Sequence, residues 1–315
     1  MLSRVADSLY WMSRYLERAE HTARVINVQL SLILEHGAGS DELYWARVLR
    51  SLAIQLSGEE QDQATLAQSL IRETTHRASI VSCVMAAREN ARQVREQISS
   101  EMWAQLNRLF HSVRQARDQG EGIDPREFLQ SVKDGAHLFQ GITDSTMTHG
   151  EGWQFIQAGR HSERAVALSS LVGSYFRELP QTGVGEPEYL EWIGLLRSCT
   201  AFEAYCKAYT ADLRPGRIAE FLVLHPTFPH SIRFSAASLE AAVKAIGAEA
   251  ASRAASRVER IAGRLHATLS FSHIDEIMAG GLDSYLDTVL RQCSQVHNAL
   301  YQTYIAYPIE LALGA

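Results

Sequence analysis

The amino-acid sequence predicts an all-α protein. From Met1 to Glu35, apolar side chains recur every seven positions in two registers, one beginning at Leu2 and one at Val5, which is the pattern of a long amphipathic helix. The chain has only seven prolines, most of them between residues 180 and 229, so helix breakers are rare in its first half. Alternating runs of β-branched residues, which are typical of strands, do not occur in the sequence.

The composition is that of a globular protein. Of the 315 residues, 46% are hydrophobic, which is enough to bury a sizeable core. A net charge of −6 gives no strongly basic surface, so neither nucleic acid nor an anionic membrane is an expected partner. The N-terminal segment is charged and no window approaches about 18 uncharged apolar residues, so we expect neither a signal peptide nor a membrane span. The four cysteines lack C-x-x-C spacing and predict reduced thiols in a cytoplasmic protein.

A short pattern near the N-terminus recurs in the middle of the chain. Arg14 to Ala19 reads R-x-x-E-R-A, and so does Arg160 to Ala165. A second segment, W-x-x-V-L-R-S at Trp45, recurs at a similar offset as W-x-x-L-L-R-S at Trp192. We therefore interpret residues 1–145 and 146–315 as two copies of one helical unit that form an internally duplicated helical bundle with a pseudo-twofold arrangement, expected to be one compact unit.

Glycine, serine and proline positions divide the first copy into six helices. Their predicted ranges are about 1–35, about 41–56, one ending near residue 74, about 78–98, one capped by Ser99 or Ser100, and one from Pro125 to about residue 143. Asp124, Pro125 and Glu127 occupy the N-cap, N1 and N3 positions that a helix start favours.

The second copy is predicted to have five helices. Their ranges are about 152–176, 192–209, 231–246, 248–270 and 283–306, with a turn at 214–216, a proline-stiffened loop at 225–230, and breaks at Gly247 and at Gly280-Gly281. The helix at 152–176 is apolar on nearly all sides and has small residues in its middle. We expect it to lie at the centre of the molecule, in close contact with another helix.

The two R-x-x-E-R runs are the strongest candidates for a functional site. Residues three and four apart share a helix face, so each run presents one acid and two bases together: Arg14, Glu17 and Arg18 in the first copy, and Arg160, Glu163 and Arg164 in the second. One hypothesis is that the two helices meet, so that Arg18 pairs with Glu163 and Arg164 with Glu17 and the ionic network fixes how the copies dock. The other is that one face stays open and the arginines bind a carboxylate or phosphate.

A second basic group comprises Arg88, Asn90, Arg92 and Arg95. On one continuous helix, the three arginines would lie at i, i+4 and i+7 and form one basic line. Such a line is usually a solvated face paired with acids such as Glu89, and the alternative is an anion-binding edge.

The sequence predicts no metal and no cofactor. Di-iron sites in helical bundles need two Glu-x-x-His units and two further carboxylates, and only Glu73-x-x-His76 is found. Neither a phosphate-binding glycine loop after a strand nor a G-x-S-x-G turn occurs in the sequence. His225 and His230 flank a stiff loop, and we interpret them as loop residues rather than ligands.

Several segments together resemble the bacterial Alpha-E family. They are the opening 1–25, Ala87 to Arg92 with Trp103 and Asn107, Gly152 to Ala165, Phe221-Leu222, and Phe228 to Ser231. The resemblance covers essentially the whole chain, and its motifs are specific in combination rather than singly. His230 departs from it, because arginine is expected in that position.

The resemblance implies an all-helical domain named for its Glu-Arg motif, here Glu17-Arg18 and Glu163-Arg164. It also implies genes beside those of circularly permuted ATP-grasp proteins and transglutaminase-like proteins, and hence a part in forming or modifying peptide or amide bonds. We therefore expect a helical accessory or binding component with an ATP-grasp-type partner and a transglutaminase-like partner. The alternative is a stand-alone acyl or amide transferase or hydrolase that uses Arg/Glu pairs in a cleft between the copies. The sequence leaves homo-oligomerisation open.

Overall fold

The computed structural model describes residues 1–306 except for 37–40, 53, 55–62, 75, 120–123, 179–185, 211 and 251–252. All regular structure in these residues is helical and none of it is strand, which confirms the predicted all-α class. The α-helices in these residues are α1 (Ser3–His36), α2 (Asp41–Ser51), α3 (Gln63–Arg72), α4 (Ile80–Gln93), α5 (Ser100–Gln119), α6 (Pro125–Thr146), α7 (Glu151–Glu178), α8 (Glu186–Ser198), α9 (Phe202–Tyr209), α10 (Pro215–Ala219), α11 (Ile232–Ala250), α12 (Arg253–Ser270), α13 (Ile274–Gly280) and α14 (Leu282–Leu300). The breaks that the predicted helix ranges imply after residue 35 and after residue 56 fall mainly on residues 37–40 and 57–60, which lie outside the described residues.

Helices α1 and α7 pack against each other at the centre of the bundle. The middle of the heptad stripe of α1 is buried, with Leu9, Met12 and Ile26 among its fully covered residues. Helix α7 is covered on nearly all sides, as its sequence predicts. The two helices that carry the R-x-x-E-R runs therefore meet in the interior.

Gly159 sets the close approach of α7 to α1. A Cβ atom at this position would overlap the backbone carbonyl of Tyr10 and the side chain of Ser13. Ala158 and Ala165 on the same helix are fully buried as well. Small residues thus bring the two backbones close together, as predicted from the middle of this helix.

The surrounding helices pack in corresponding sets. Helix α1 packs against α4 and α6, and α7 packs against α11 and α14. Helix α2 also contacts α7, and α8 contacts α1, so each half reaches across to the central helix of the other. A duplicated pseudo-twofold bundle would have this arrangement, while the duplication itself and the boundary near residue 145 stay predictions.

Predicted helix caps are present. Ser99 Oγ accepts a hydrogen bond from the backbone N–H of Met102 at 3.1 Å, which caps the start of α5. Asp124 accepts from the backbone N–H of Arg126 at 2.9 Å, and Pro125 occupies the first turn of α6.

Several predicted helices have different bounds. The helix expected at about 41–56 ends at Ser51, and the one expected at 283–306 ends at Leu300, where a π-helical turn over Tyr301–Ile305 follows. The helix expected at 78–98 ends at Gln93, because Val94 leaves the helical conformation (φ −119°, ψ 30°) and a 3₁₀ turn follows over Arg95–Gln97. The helix expected at 192–209 is two helices, α8 and α9. Thr200 between them has a positive φ of 53°, which an α-helix does not allow.

Other corrections concern glycine and proline. Pro215 begins the short helix α10 instead of forming a turn, since its fixed φ suits the first position of a helix. Gly247 lies inside α11, where a Cβ would collide with the side chain of Glu259 in α12. Gly281, with φ of 92°, separates α14 from the unpredicted short helix α13.

Candidate functional site

Side chains of α1 and α7 form a buried ionic cluster, here called the central network and made of Arg14, Glu17, Arg18, Glu163 and Arg164. Glu163 accepts hydrogen bonds from two arginines of α1. Arg14 Nε lies 2.7 Å from its Oε2, and Arg18 Nε lies 2.6 Å from its Oε1. Both carboxylate oxygens of Glu163 are therefore occupied by guanidinium groups.

The reciprocal contact joins Arg164 of α7 to Glu17 of α1. Arg164 Nε lies 2.5 Å from Glu17 Oε1, and Arg164 Nη2 lies 3.0 Å from Oε2. Gln140 of α6 donates to Glu17 Oε2 at 3.2 Å, and Arg164 Nη1 donates to the backbone carbonyl of Pro229 at 3.2 Å. Both predicted pairs, Arg18 with Glu163 and Arg164 with Glu17, are confirmed.

Electrostatics keeps the central network ionised. Burial by itself would raise the pKa of Glu163, but the charges and hydrogen bonds of Arg14 and Arg18 outweigh it and hold this pKa below its usual value. Burial likewise opposes the charged form of Arg164, and the carboxylate of Glu17 overcomes it and raises the pKa of Arg164. Each charge is stable in the interior only because the opposite helix supplies its partner.

Arg160 does not join the central network. Its Nη1 lies 3.4 Å from Gln157 Oε1 and 3.9 Å from a carboxylate oxygen of Asp144. Burial, with a contribution from Arg164, lowers the pKa of Arg160. Among the charged residues of the second run, Glu163 and Arg164 therefore form the ionic contact with α1.

A tyrosine and a histidine lie beside the central network, and no sequence pattern marks the histidine. The Tyr10 hydroxyl lies 2.9 Å from His297 Nδ1, and Arg14 Nη1 lies 3.2 Å from the same nitrogen. Because Arg14 can only donate, we infer that Nδ1 accepts and that the ring proton is on Nε2. Burial and the charge of Arg14 lower the pKa of His297 to about 4, so its ring is neutral near pH 7.

A second buried ionic cluster lies around Arg47 of α2. Its Nε lies 2.7 Å from Glu178 Oε2, and its Nη1 lies 2.5 Å from Glu191 Oε2. The guanidinium also lies 4.4 Å from the centre of the Tyr175 ring. This cluster ties α2 to α7 and α8. Arg47 occupies an unmatched position of the recurring segment that begins at Trp45, so the sequence pattern does not single it out.

A partly open pocket of about 290 Å³ lies beside the central network, and we call it the Arg18 pocket. Its wall includes Arg18 and His21 of α1, Glu163 of α7, and Arg77, which precedes α4. The Arg18 side chain is 25% exposed, whereas that of Glu163 is 6% exposed. The network is therefore accessible through Arg18 and closed at the Glu17 and Arg164 pair.

Arg88 and Arg95 of the second basic group pack on aromatic rings. Arg88 Nε donates to Asn107 Oδ1 at 2.7 Å, and its guanidinium lies 5.4 Å from the Trp103 ring centre. Arg95 lies in the 3₁₀ turn and approaches the same ring at 5.8 Å. The expected basic line along one helix is wrong, because α4 ends before Arg95.

The other two members of this group are engaged locally. Arg92 pairs with Glu89 at 2.6 Å, and both side chains are exposed, as on a solvated helix face. Asn90 Nδ2 donates to the backbone carbonyl of Ala86 at 2.8 Å. Anion binding by this group stays a prediction.

No group of three or more histidines, cysteines or acids that could hold a metal lies in the part of the chain that the structure describes. Glu73 and His76 approach each other at 3.5 Å, and both are exposed. The four cysteines are not in disulfides. None of the described helices is long and apolar enough to cross a membrane.

Comparisons with known proteins agree with this description. A family model named Alpha-E, a predicted alpha-helical domain with a conserved ER motif, matches residues 1–305. Uncharacterised proteins of Mycobacterium bovis and Mycobacterium tuberculosis are 23% identical to the chain over 334 residues. The match covers 97% of this chain but only 37% of each relative, so the chain spans little more than a third of their length. No solved structure gave a significant match.

Proposed function

Because the chain belongs to the Alpha-E family, we propose that it is a helical accessory component of a circularly permuted ATP-grasp-type ligase that forms or modifies peptide or amide bonds. In this role the chain binds the ligase and helps to hold the substrate, while the ligase uses ATP. A transglutaminase-like protein is proposed as a second partner. We also propose a cytoplasmic location, which the four unpaired cysteines favour.

The observation that carries this proposal is the saturation of both motif glutamates. Each oxygen of Glu163 accepts from an arginine, and both oxygens of Glu17 accept from Arg164. A general acid or base must exchange a proton near the working pH. The lowered pKa of Glu163 opposes such exchange, so the geometry favours a structural role for the Glu-Arg motif.

The length of the relatives also supports joint action with another protein. In the mycobacterial relatives, the matching region is joined to further sequence that makes up most of the chain. Covalent linkage raises the effective concentration of two parts that work together. A separate chain of the same family would reach a high effective concentration beside its partner by binding it non-covalently.

A stand-alone acyl or amide transferase or hydrolase is the second candidate, and the Arg18 pocket favours it. Arginine side chains at its wall, Arg18 and Arg77, could stabilise an oxyanion. The glutamate that lines the pocket, Glu163, is occupied by Arg14 and Arg18. A base for such a reaction would therefore have to come from elsewhere.

Co-purification tests the proposal. The chain is mixed at micromolar concentration with a circularly permuted ATP-grasp protein from the same organism, and complexes are measured by size-exclusion chromatography with light scattering. We expect a defined complex, and amide-bond formation only when both proteins are present. Lack of association would contradict the proposal, and turnover by the chain alone would favour the second candidate. The same run measures the chain's own oligomeric state, and a parallel run tests the transglutaminase-like protein.

A further inference from the structure

We propose that the Arg18 pocket is a binding site for an oxyanion group, either the carboxylate of an acidic amino acid or peptide, or a phosphate. The site would hold this group between Arg18 and Arg77, with His21 as a neutral hydrogen-bond partner. This inference deepens the proposed function and rests on it only in treating the chain as a binding component.

Unused donors of Arg18 are the first observation. Its Nε is bonded to Glu163, but its two terminal nitrogens make no hydrogen bond with any residue that the structure describes. A guanidinium has five N–H donors in a planar fork that matches a carboxylate or phosphate. Since the Arg18 side chain is 25% exposed and lines the pocket, these donors are available to a ligand.

The second observation is excess positive charge. Arg77 lines the same pocket, is exposed, and forms no ion pair within the described residues. Three arginines, Arg14, Arg18 and Arg77, therefore lie in or beside the pocket with a single carboxylate, Glu163. That carboxylate is already paired with both Arg14 and Arg18. The neighbouring Glu17 and Arg164 neutralise each other. An anion entering the pocket would therefore meet net positive charge at short range.

His21 supplies the third observation. Its side chain is part of the pocket wall, only 8% of the residue is exposed, and Nε2 is buried without a hydrogen-bond partner within the described residues. Buried polar atoms are nearly always hydrogen-bonded, so an orphan one indicates a missing partner. Burial lowers the pKa of His21, so the ring is neutral near pH 7. A neutral ring can donate one N–H to an anion.

The rest of the wall suits a small polar group. The hydroxyl-bearing residues Ser51 and Ser170 line the pocket, which at about 290 Å³ has room for an amino acid side chain or a phosphate. Arg18 belongs to the Glu-Arg motif, so a ligand here would contact the motif directly. The motif would then serve two purposes, docking α1 against α7 and presenting one arginine to the ligand.

Calorimetric titration of the full chain tests the proposal. The probes are inorganic phosphate and L-glutamate, with L-glutamine as the neutral counterpart of glutamate. We expect one or both anions to bind and glutamine not to bind. Binding of phosphate alone would identify a phosphoryl ligand, and binding of glutamate alone an acidic amino acid or peptide. If neither anion binds, or if glutamine binds as well as glutamate, the proposal is wrong.

The variant Arg77→Gln locates the binding. The Arg77 side chain is not ion-paired with any described residue, so its replacement leaves no partner unpaired and the variant should fold. We expect this variant to bind the anion about tenfold more weakly or worse. Arg114→Gln, an exposed arginine of α5 outside the pocket, is the matched control and should bind as the unchanged chain does. An equal loss in both variants would show non-specific surface attraction and overturn the proposal.

Arg18→Lys is the second variant. It keeps a positive charge for Glu163 but lacks the planar fork, so weaker anion binding with unchanged circular dichroism is expected. Unchanged binding would contradict the role given to Arg18. Because all titrations use the chain alone, failure here is distinct from failure to associate with the ligase.

Discussion

The guanidinium of Arg18 in α1 lies 2.6 Å from the carboxylate of Glu163 in α7, and the opposite pair joins Arg164 of α7 to Glu17 of α1. Each helix thus neutralises a buried charge of the other. Removal of one member leaves its partner buried and unpaired, which costs far more free energy than the intact pair contributes. The contact therefore specifies how the two helices dock.

Glu163→Gln should lower the free energy of unfolding by about 3–5 kcal/mol, because Arg14 and Arg18 would lose the carboxylate that compensates their burial. Urea denaturation followed by circular dichroism measures the change. Glu89→Gln is the matched control, since its pair with Arg92 is exposed, and it should change stability little. Equal losses of unfolding free energy in the two variants would mean that the buried network contributes no more to stability than an exposed ion pair does.

Gly159→Ala should destabilise the protein by about 1–3 kcal/mol, because its Cβ would overlap the Tyr10 backbone and push α1 away from α7. Gly141→Ala in α6 is the control, as nothing lies within 4 Å of its Cβ position. It should stabilise the helix by about 0.5–1 kcal/mol. Thermal or urea unfolding of both variants gives the comparison. A Gly159→Ala variant as stable as Gly141→Ala would refute the close approach.

Stability should decline as the pH falls from about 7 toward 5. Burial, aided by the charges of Arg164 and Arg160, holds the pKa of His161 well below its usual value. Below about pH 6.5 the unfolded chain therefore binds more protons than the folded chain, so lowering the pH favours unfolding. Burial also holds the pKa of His230 well below its usual value, so His230 adds to the same loss of stability. Below about pH 4.5, Glu163 adds to the loss, because its folded pKa is also lowered.

His161→Gln tests this pH dependence. We expect a shallower slope of unfolding free energy against pH between 7 and 5, with part of the slope retained through His230, His21 and His297, whose pKa values are also lowered. His149→Gln, at an exposed histidine, should keep the full slope. An unchanged slope in His161→Gln would contradict the assignment.

Sequence reasoning predicted the contact at the core of the site. The i, i+3 and i+4 spacing places Arg14, Glu17 and Arg18 on one helix face, and the repeated run predicts a matching face at Glu163 and Arg164. Buried charges need partners, and the run of the other helix supplies them. Residue spacing along each helix and the need to balance buried charge were sufficient to predict the two crossed ion pairs.

Contacts that depend on distant helices were not predictable. His297 reaches Arg14 from α14, which is far away in sequence and carries no matching motif. Glycine at position 247 suggests a helix break, but the helix continues through it, and the missing side chain leaves room for Glu259 of α12. Thr200 ends α8 through a positive φ that its residue type does not favour. None of these three features follows from local sequence preference.

A double-mutant cycle on Glu17 and Arg164 tests the docking of α1 against α7 most directly. Glu17→Met and Arg164→Met each leave a buried charge unpaired, whereas the double variant removes both charges. We predict a coupling energy of about 1–3 kcal/mol, so that the double variant loses less stability than the two single losses together. A coupling energy near zero would contradict the crossed pairing of the two helices.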